Sequence, residues 1–273
     1  MIRDESNNQT LDHTWLSQEE RARDVIVDIN GKEYVYVRIP SQKDDFTGAP
    51  YQELGRMMLQ AGLSLPTGKY TAPLVHATFN DLAKYNGVLD QLFHQFLYVF
   101  NRNLFVPEGM YSIDDLEAKG EKEFPTPSQL ERRLREGREL KGVLFSKDGT
   151  VRFAPKETYD KGERIREEVI NDSSGKVVCT LVEYVPESIA NDGQIIAQYG
   201  IEGAQMYEDI TKLESNVINR VIIRCFELKP QERPHIDVSS VKEKRGELLL
   251  SSITSDGSNM IGWGYRVNDR GTK

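Results

Sequence analysis

Cysteine and long apolar runs are scarce in this chain. Its 273 residues include only two cysteines, Cys179 and Cys225, each within a short apolar run that predicts a buried thiol. A chain of this length needs no disulfide to fold, so a bridge between them is the less favoured alternative. No stretch approaches the roughly 20 apolar residues of a membrane-spanning helix, and the polar N-terminus lacks the apolar segment of a signal peptide. We therefore expect a soluble, cytoplasmic protein without a membrane partner.

Motifs that would identify a reaction are missing as well. The sequence has no glycine-rich turn followed by Lys and Ser or Thr, which would cradle a phosphate, and no Gly-x-Ser-x-Gly turn, which would present a nucleophilic serine. The four histidines are scattered, and no His or Cys pair has the spacing of metal ligands. The sequence thus predicts no catalytic residue, no metal and no cofactor, and it favours a protein that is not an enzyme.

The charge balance argues against one class of partner. With 43 acidic and 35 basic side chains, the formal net charge is -8. A chain with this balance repels phosphate backbones rather than attracting them. Nucleic acid is therefore not an expected partner.

Length and local composition predict the domain organisation. Residues 1–20 are polar and lack periodicity, which predicts a disordered tail. The remaining residues, 21–273, are few enough to form a single α+β domain. The charged stretch 114–125 is the one candidate for an internal boundary.

Local patterns predict the secondary structure. The predicted helices span residues 49–61, 71–85, 88–100, 127–140 and 202–213. Thr126 and Gln129 predict a capping box at the start of the fourth helix. The helix at 88–100 is apolar on more than one face and is the first choice for the core. Tight turns at Asn30-Gly31 and Asp148-Gly149 predict two hairpins, and a strand is expected at 194–199. Helices before residue 141 and strands after it predict an α+β fold, with a helical N-terminal half packed on a mainly antiparallel sheet.

The last 28 residues are the most informative part of the sequence. Two apolar segments, beginning at Glu247 and at Met260, flank a stretch of short polar side chains and predict a displayed β-hairpin. Trp263 and Tyr265 are candidate ligand-binding anchors, because rigid aromatic side chains dominate recognition surfaces. The adjustable polar contacts of this predicted site are Ser255, Asp256, Ser258 and Asn259. The alternative is a polar turn that only closes a sheet.

Two segments resemble a known family. The helix before Leu65-Pro66-Thr67, this tripeptide and the helix after it are similar to a passage in the formylglycine-generating-enzyme branch of the C-type lectin fold, and 262–267 is similar to the strand that ends those domains. The resemblance implies a binding scaffold with ligand contacts on its C-terminal strands. It does not imply the oxidase, whose cysteines lie close together, whereas Cys179 and Cys225 are far apart. The segments 101–104 and 107–109 also resemble uncharacterised archaeal proteins.

The sequence therefore favours a non-enzymatic module that binds a protein or a small ligand through its C-terminal hairpin. One alternative is an enzyme whose cleft, between the helical half and the sheet, uses His76 or His94 with a distant acid. Another is a structural or assembly subunit, for which the N-terminus and the charged segment 156–176 would serve as attachment arms. That segment is expected to be either a mobile excursion or a long hairpin. The sequence leaves the ligand and the oligomeric state open.

Overall fold

A computed structural model describes residues 25–29, 31–38, 50–85, 88–89, 92–93, 95–159, 162–171, 174–213, 217–253 and 260–268. The strands are β1 (Val25–Ile29), β2 (Lys32–Arg38), β3 (Phe96–Val106), β4 (Gly109–Asp114), β5 (Arg138–Leu140), β6 (Val143–Phe145), β7 (Val151–Pro155), β8 (Glu163–Asn171), β9 (Val177–Val185), β10 (Arg220–Glu227), β11 (His235–Lys244), β12 (Glu247–Ile253), β13 (Met260–Ile261) and β14 (Trp263–Asn268). The helices are α1 (Tyr51–Gln60), α2 (Gly68–Asn80), α3 (Pro127–Leu134) and α4 (Gly193–Ile210). Among these residues no helix is long and apolar enough to cross a membrane.

The strands form one large and one small sheet. The large sheet has the order β5-β6-β7-β4-β3-β11-β12-β10-β9-β8, with β13 paired to part of β3, and the small one has the order β1-β2-β14. Neighbours in the large sheet are antiparallel except for the parallel pairs β10 with β12 and β13 with β3. The α+β class is confirmed. Because β1 to β4 all precede residue 115, the predicted helical N-terminal half is not confirmed.

Helices cover both faces of the large sheet around its central strand, β3. Leu97, Val99 and Phe105 point from β3 into the core that holds the apolar residues of α2 and α4. Phe100 points to the opposite face, where it packs with α1, and Leu104 points there too and packs with α3. Successive side chains of β3 thus point to opposite faces of the sheet, and helices cover both faces, as expected for a strand that is buried on both sides.

Parts of three predicted elements are wrong. Residues 138–140, predicted to end a helix, form β5, and burial explains the other two errors. Residues 96–100 begin β3 instead of ending a helix, because a strand buried on both faces shows the same continuous apolar run as a buried helix. Residues 194–199 are helical rather than a strand. There Asp192 caps the first turn of α4 by accepting a hydrogen bond from the Ile195 backbone N–H at 2.9 Å.

The predicted C-terminal hairpin is also wrong, because its two strands belong to different sheets. Strand β12 pairs with β10 and β11 in the large sheet, whereas β14 pairs with β2 in the small sheet. A methyl group added at Gly262 would collide with the side chains of Leu54 and Met58, so the chain passes closely over α1 at this glycine. Strand β14 therefore fastens the small sheet to the core.

The predictions that rest on local signals are confirmed. Strands β1 and β2 pair across Gly31, and β6 pairs with β7 across Gly149. The Thr126 side chain and Gln129 form the predicted capping box at α3. The charged segment 156–176 contains β8, which forms a long hairpin with β9, and both cysteines are buried free thiols.

Candidate functional site

Two irregular backbone segments meet at the centre of the molecule. The register between β3 and β11 shifts after the pair Arg102 and Val238, leaving a bulge at Phe100 and Asn101. Helix α4 is broken at Gly200, whose φ of 78° and ψ of 172° are not helical. Bulges and helix breaks occur often at functional sites, and here both face the same side of the sheet.

Two buried polar side chains stabilise these irregular segments. In an unbroken helix the carbonyls of Ala197 and Gln198 would bond to N–H groups beyond the break at Gly200. Arg152 Nε instead donates to the Ala197 carbonyl at 2.5 Å, and Asn101 Nδ2 donates to the Gln198 carbonyl. The broken helix accounts for both residues, so they are structural.

A second group of polar side chains has no such structural explanation. We call it the polar cluster; its members are Asn103, Ser112, Gln198, Asp237 and Ser239, all almost completely buried. Asn103 lies at the centre, with Ser112 of β4 and Asp237 of β11 as its direct neighbours in the sheet. All point toward α4, which contributes Gln198. The cluster therefore lies between the central strands and the helix.

Hydrogen bonds fix the orientation of the amides in the polar cluster. Asn103 Nδ2 donates to Ser239 Oγ at 2.9 Å, and Ser239 Oγ donates to Gln198 Oε1 at 3.3 Å. Gln198 Nε2 in turn donates to Met110 Sδ at 3.6 Å. Within the part of the chain that the structure describes, Asn103 Oδ1 and Ser112 Oγ have no hydrogen-bond partner. Two neighbouring buried oxygens are thus left available to a further group.

His235 marks the side of the polar cluster that reaches solvent. Its Nε2 lies 3.2 Å from Asp237 Oδ2, and its side chain is 24% exposed while that of Asp237 is fully buried. The imidazole also packs on Phe226, with ring centroids 4.2 Å apart. The described pairing of β12 with β11 ends at Val238, so the first residues of β11 extend past β12.

The chemistry that the site can support is limited by its other groups. Burial, together with the charges of Asp237 and Glu232, raises the pKa of Cys179 to about 11, so this thiol is protonated at neutral pH and is a poor nucleophile. Among the described residues no group of His, Cys, Asp and Glu could hold a metal ion. The His235 imidazole and the polar cluster could form hydrogen bonds to a bound molecule.

Of the site that the sequence predicts, the structure describes only Trp263 and Tyr265. Trp263 is 2% and Tyr265 is 8% exposed, and both belong to the main core, so the prediction of exposed aromatic anchors is wrong. Tyr265 stacks on Tyr70 with ring centroids 4.5 Å apart. The predicted polar contacts, Ser255, Asp256, Ser258 and Asn259, lie outside the described residues, and their roles stay predictions.

Sequence reasoning missed the polar cluster, although a signal for it exists. In the otherwise apolar β3, Arg102 has one asparagine on each side, Asn101 and Asn103. In β11, residues 235–239 alternate between polar and apolar side chains. Polar residues on the buried face of a strand are unusual unless they are hydrogen-bonded or functional.

Of the two histidines of the predicted enzyme cleft, the structure describes only His76, which does not belong to the polar cluster. His94 lies outside the described residues. His76 is on α2, where Asn80 Nδ2 lies 3.1 Å from its ring nitrogens. Burial lowers the pKa of His76, and the negative charge of Asp209 opposes this shift. The imidazole is therefore neutral at pH 7, as in a packed structural histidine.

This lowered pKa predicts a pH dependence of stability. The contribution of His76 is complete above its unfolded pKa of about 6.5, and it declines as the pH falls toward the lower folded pKa, because the unfolded chain then binds more protons. We expect the urea midpoint of the wild type to fall more between pH 7.5 and 5.5 than that of His76→Gln. Equal falls in the two proteins would contradict the shift.

Comparison with known proteins assigns no family to this chain, since no protein-family model, no curated protein and no solved structure matches it. The resemblance to the C-type lectin fold therefore stays a prediction. What can be inferred about function depends on the geometry of the polar cluster and of His235.

Proposed function

We propose that this protein binds a small polar molecule in the polar cluster. One observation carries the proposal: Asn103 Oδ1 and Ser112 Oγ are neighbours, are completely buried and have no partner among the described residues. A binding function agrees with the class favoured by the sequence. The proposed site, however, lies under α4 rather than on the C-terminal segment.

The energetic cost of these two oxygens supports the proposal. Leaving a buried polar atom without a hydrogen bond costs about 1–3 kcal/mol. An apolar residue at either position would avoid this cost, and the surrounding core is apolar. A ligand that donates hydrogen bonds to Asn103 and Ser112 would recover this free energy on binding. The fixed direction of the Asn103 amide, set by Ser239, means that the acceptor is oriented before the ligand arrives.

The route of entry is proposed at His235. Its partial exposure contrasts with the complete burial of Asp237 beside it, so the imidazole lies at the boundary between solvent and the polar cluster. A side chain at such a boundary can turn aside without unpacking the core. A small molecule would then pass between the first residues of β11 and Phe226 of β10.

The proposal predicts different behaviour for two adjacent serines. Ser239 lies in the polar cluster, whereas Ser240 is equally buried on the other face of β11 and contacts the Ser251 carbonyl. A ligand at 100 times its Kd raises the free energy of unfolding by about 2.7 kcal/mol, or Tm by roughly 5–10 °C. Ser239→Ala releases the Asn103 amide, so we expect it to lose at least half of this shift, while Ser240→Ala keeps it.

The measurement combines native mass spectrometry of the purified full chain with thermal unfolding against a panel of polyols, amides, amines and amino acids. A small molecule that co-purifies or stabilises the wild type, and does so less for Ser239→Ala than for Ser240→Ala, supports binding at the polar cluster. If the two variants respond alike, or if nothing binds and the cluster holds ordered water alone, the proposal is wrong.

A further inference from the structure

We propose that the ligand of the polar cluster is a small organic ammonium ion. This inference rests on the proposed function and adds its chemical class. The groups arranged around Asn103 are mainly acceptors: its own Oδ1, the Ser112 hydroxyl and the Asp237 carboxylate, which lie side by side on three adjacent strands. An ammonium group offers three N–H donors and no acceptor, so it complements this set.

Three donors of the polar cluster already donate within the molecule, whereas the Ser112 hydroxyl, which can both donate and accept, has no partner among the described residues. The amide nitrogens of Asn103 and Gln198 donate to Ser239 and Met110, and the Ser239 hydroxyl donates to Gln198. A carboxylate or phosphate ligand would bring more acceptors to a site that presents acceptors. It would also place a negative charge beside the buried Asp237, which is unfavourable, while the charge of Arg152, the neighbour of Ser112 in the sheet, is already paired with Asp114.

Asp237 supplies the charge that distinguishes an ammonium from an alcohol. Its side chain is fully buried, and its neighbour His235 is cationic only when protonated. A carboxylate can accept several hydrogen bonds, so a bond from a ligand is compatible with the contact to His235. Charge-assisted hydrogen bonds to a buried carboxylate are about twice as strong as neutral ones. A bound cation would also offset part of the desolvation of the carboxylate.

Two aromatic rings, those of Phe105 and Phe226, lie between the polar cluster and the solvent-exposed side of His235. Phe105 lies two residues beyond Asn103 on the same face of β3 and is the direct neighbour of His235 in the sheet. Phe226 packs against both, with ring centroids 5.6 Å from Phe105 and 4.2 Å from His235. Aromatic faces next to a carboxylate favour organic cations, because the ring quadrupole attracts positive charge. The net charge of -8 also draws cations toward the protein.

Three probes of nearly equal size and different charge test the inference: propylammonium, 1-propanol and propionate. Binding to the full-length protein is measured by calorimetric titration at pH 7 and constant ionic strength. We expect propylammonium to bind at least about ten-fold more tightly than 1-propanol, since hydrogen bonds to charged groups are the stronger ones, and propionate to show no binding.

Two variants locate the site of binding. Asp237→Asn keeps the shape and removes the charge, so we expect propylammonium to bind about ten- to a hundred-fold more weakly, with 1-propanol little changed. Ser112→Ala removes an oxygen without a described partner, so the variant should fold, and we expect a few-fold loss of propylammonium affinity. Ser240→Ala is the matched control and should bind like the wild type.

The possible outcomes separate this inference from the proposed function. If 1-propanol binds as tightly as propylammonium, or Asp237→Asn and Ser112→Ala bind propylammonium as well as Ser240→Ala does, the ammonium class is wrong. In that case a stabilising polyol or amide that distinguishes Ser239→Ala from Ser240→Ala would still support the polar cluster as a binding site. If none of the three probes binds, the ammonium inference is overturned.

Discussion

Replacing Arg152 with Met is expected to lower the free energy of unfolding by about 3–5 kcal/mol, the cost of breaking a buried charge pair and leaving its partner behind. Arg152 Nη2 lies 2.5 Å from Asp114 Oδ1, and both side chains are largely buried. The same guanidinium donates to the carbonyls of Gly149 and Ala197. The substitution leaves a carboxylate and two carbonyls without this donor, and the methionine cannot supply one.

Arg133→Met is the matched control for Arg152→Met. Arg133 also pairs with an aspartate, Asp148, but both side chains are about half exposed. Although partial burial acts to raise it, the pKa of Asp148 is lowered by hydrogen bonds from Ser146 and Thr150 and by the charge of Arg133. Exposed pairs contribute about 0–1 kcal/mol, so this variant should be nearly as stable as the wild type. Urea unfolding monitored by circular dichroism gives both values, and equal losses would contradict the structural role of Arg152.

The elements that could be predicted from the sequence are those that local chemistry determines. A glycine in a tight turn, as at Gly31, and a capping threonine, as at Thr126, act within a few residues and were located correctly. Strand β3 could not be identified in the same way. Its helical or extended state depends on β4 and β11 on either side, which supply the hydrogen bonds of the backbone.

The polar cluster could not be predicted from the sequence, because its members come together only through strand register. Asn103 and Asp237 are 134 positions apart and meet because β3 and β11 pair with one specific alignment. A shift by one residue would turn Asp237 to the other face of the sheet. No spacing rule along the chain contains this information. The alternation of polar residues in the two strands indicates that they face something polar, but not that they face each other.

The C-terminal segment shows why composition alone cannot distinguish displayed aromatic residues from buried ones. Tyrosine and tryptophan near short polar residues are typical of displayed recognition surfaces, and the same residue types also fill cores when a partner strand covers them. Here Trp263 and Tyr265 lie opposite Arg38 and Tyr36 of β2. The covering strand is more than 200 residues away in sequence, so the exposure of the aromatic residues could not be judged locally.

Trp263→Ala is therefore expected to lower the free energy of unfolding. Trp263 is 2% exposed in the main core, and removing a large buried side chain costs about 3–5 kcal/mol through lost transfer free energy and the cavity that remains. Because β14 attaches the small sheet to the core, the loss should appear in the cooperative unfolding of the whole protein. The measurement is chemical unfolding monitored by far-ultraviolet circular dichroism, a signal from the backbone that does not require the indole removed in the variant.

Val267→Ala provides the control for Trp263→Ala on the same strand. Val267 is 43% exposed, and substitutions at such surface positions change stability by no more than about 0.5 kcal/mol. A large loss for Trp263→Ala beside an unchanged Val267→Ala would agree with the buried position of the indole. If Trp263→Ala unfolded like the wild type but no longer bound a ligand that the wild type binds, Trp263 would be a recognition residue, as the sequence predicted, and the packing of β14 described above would be wrong.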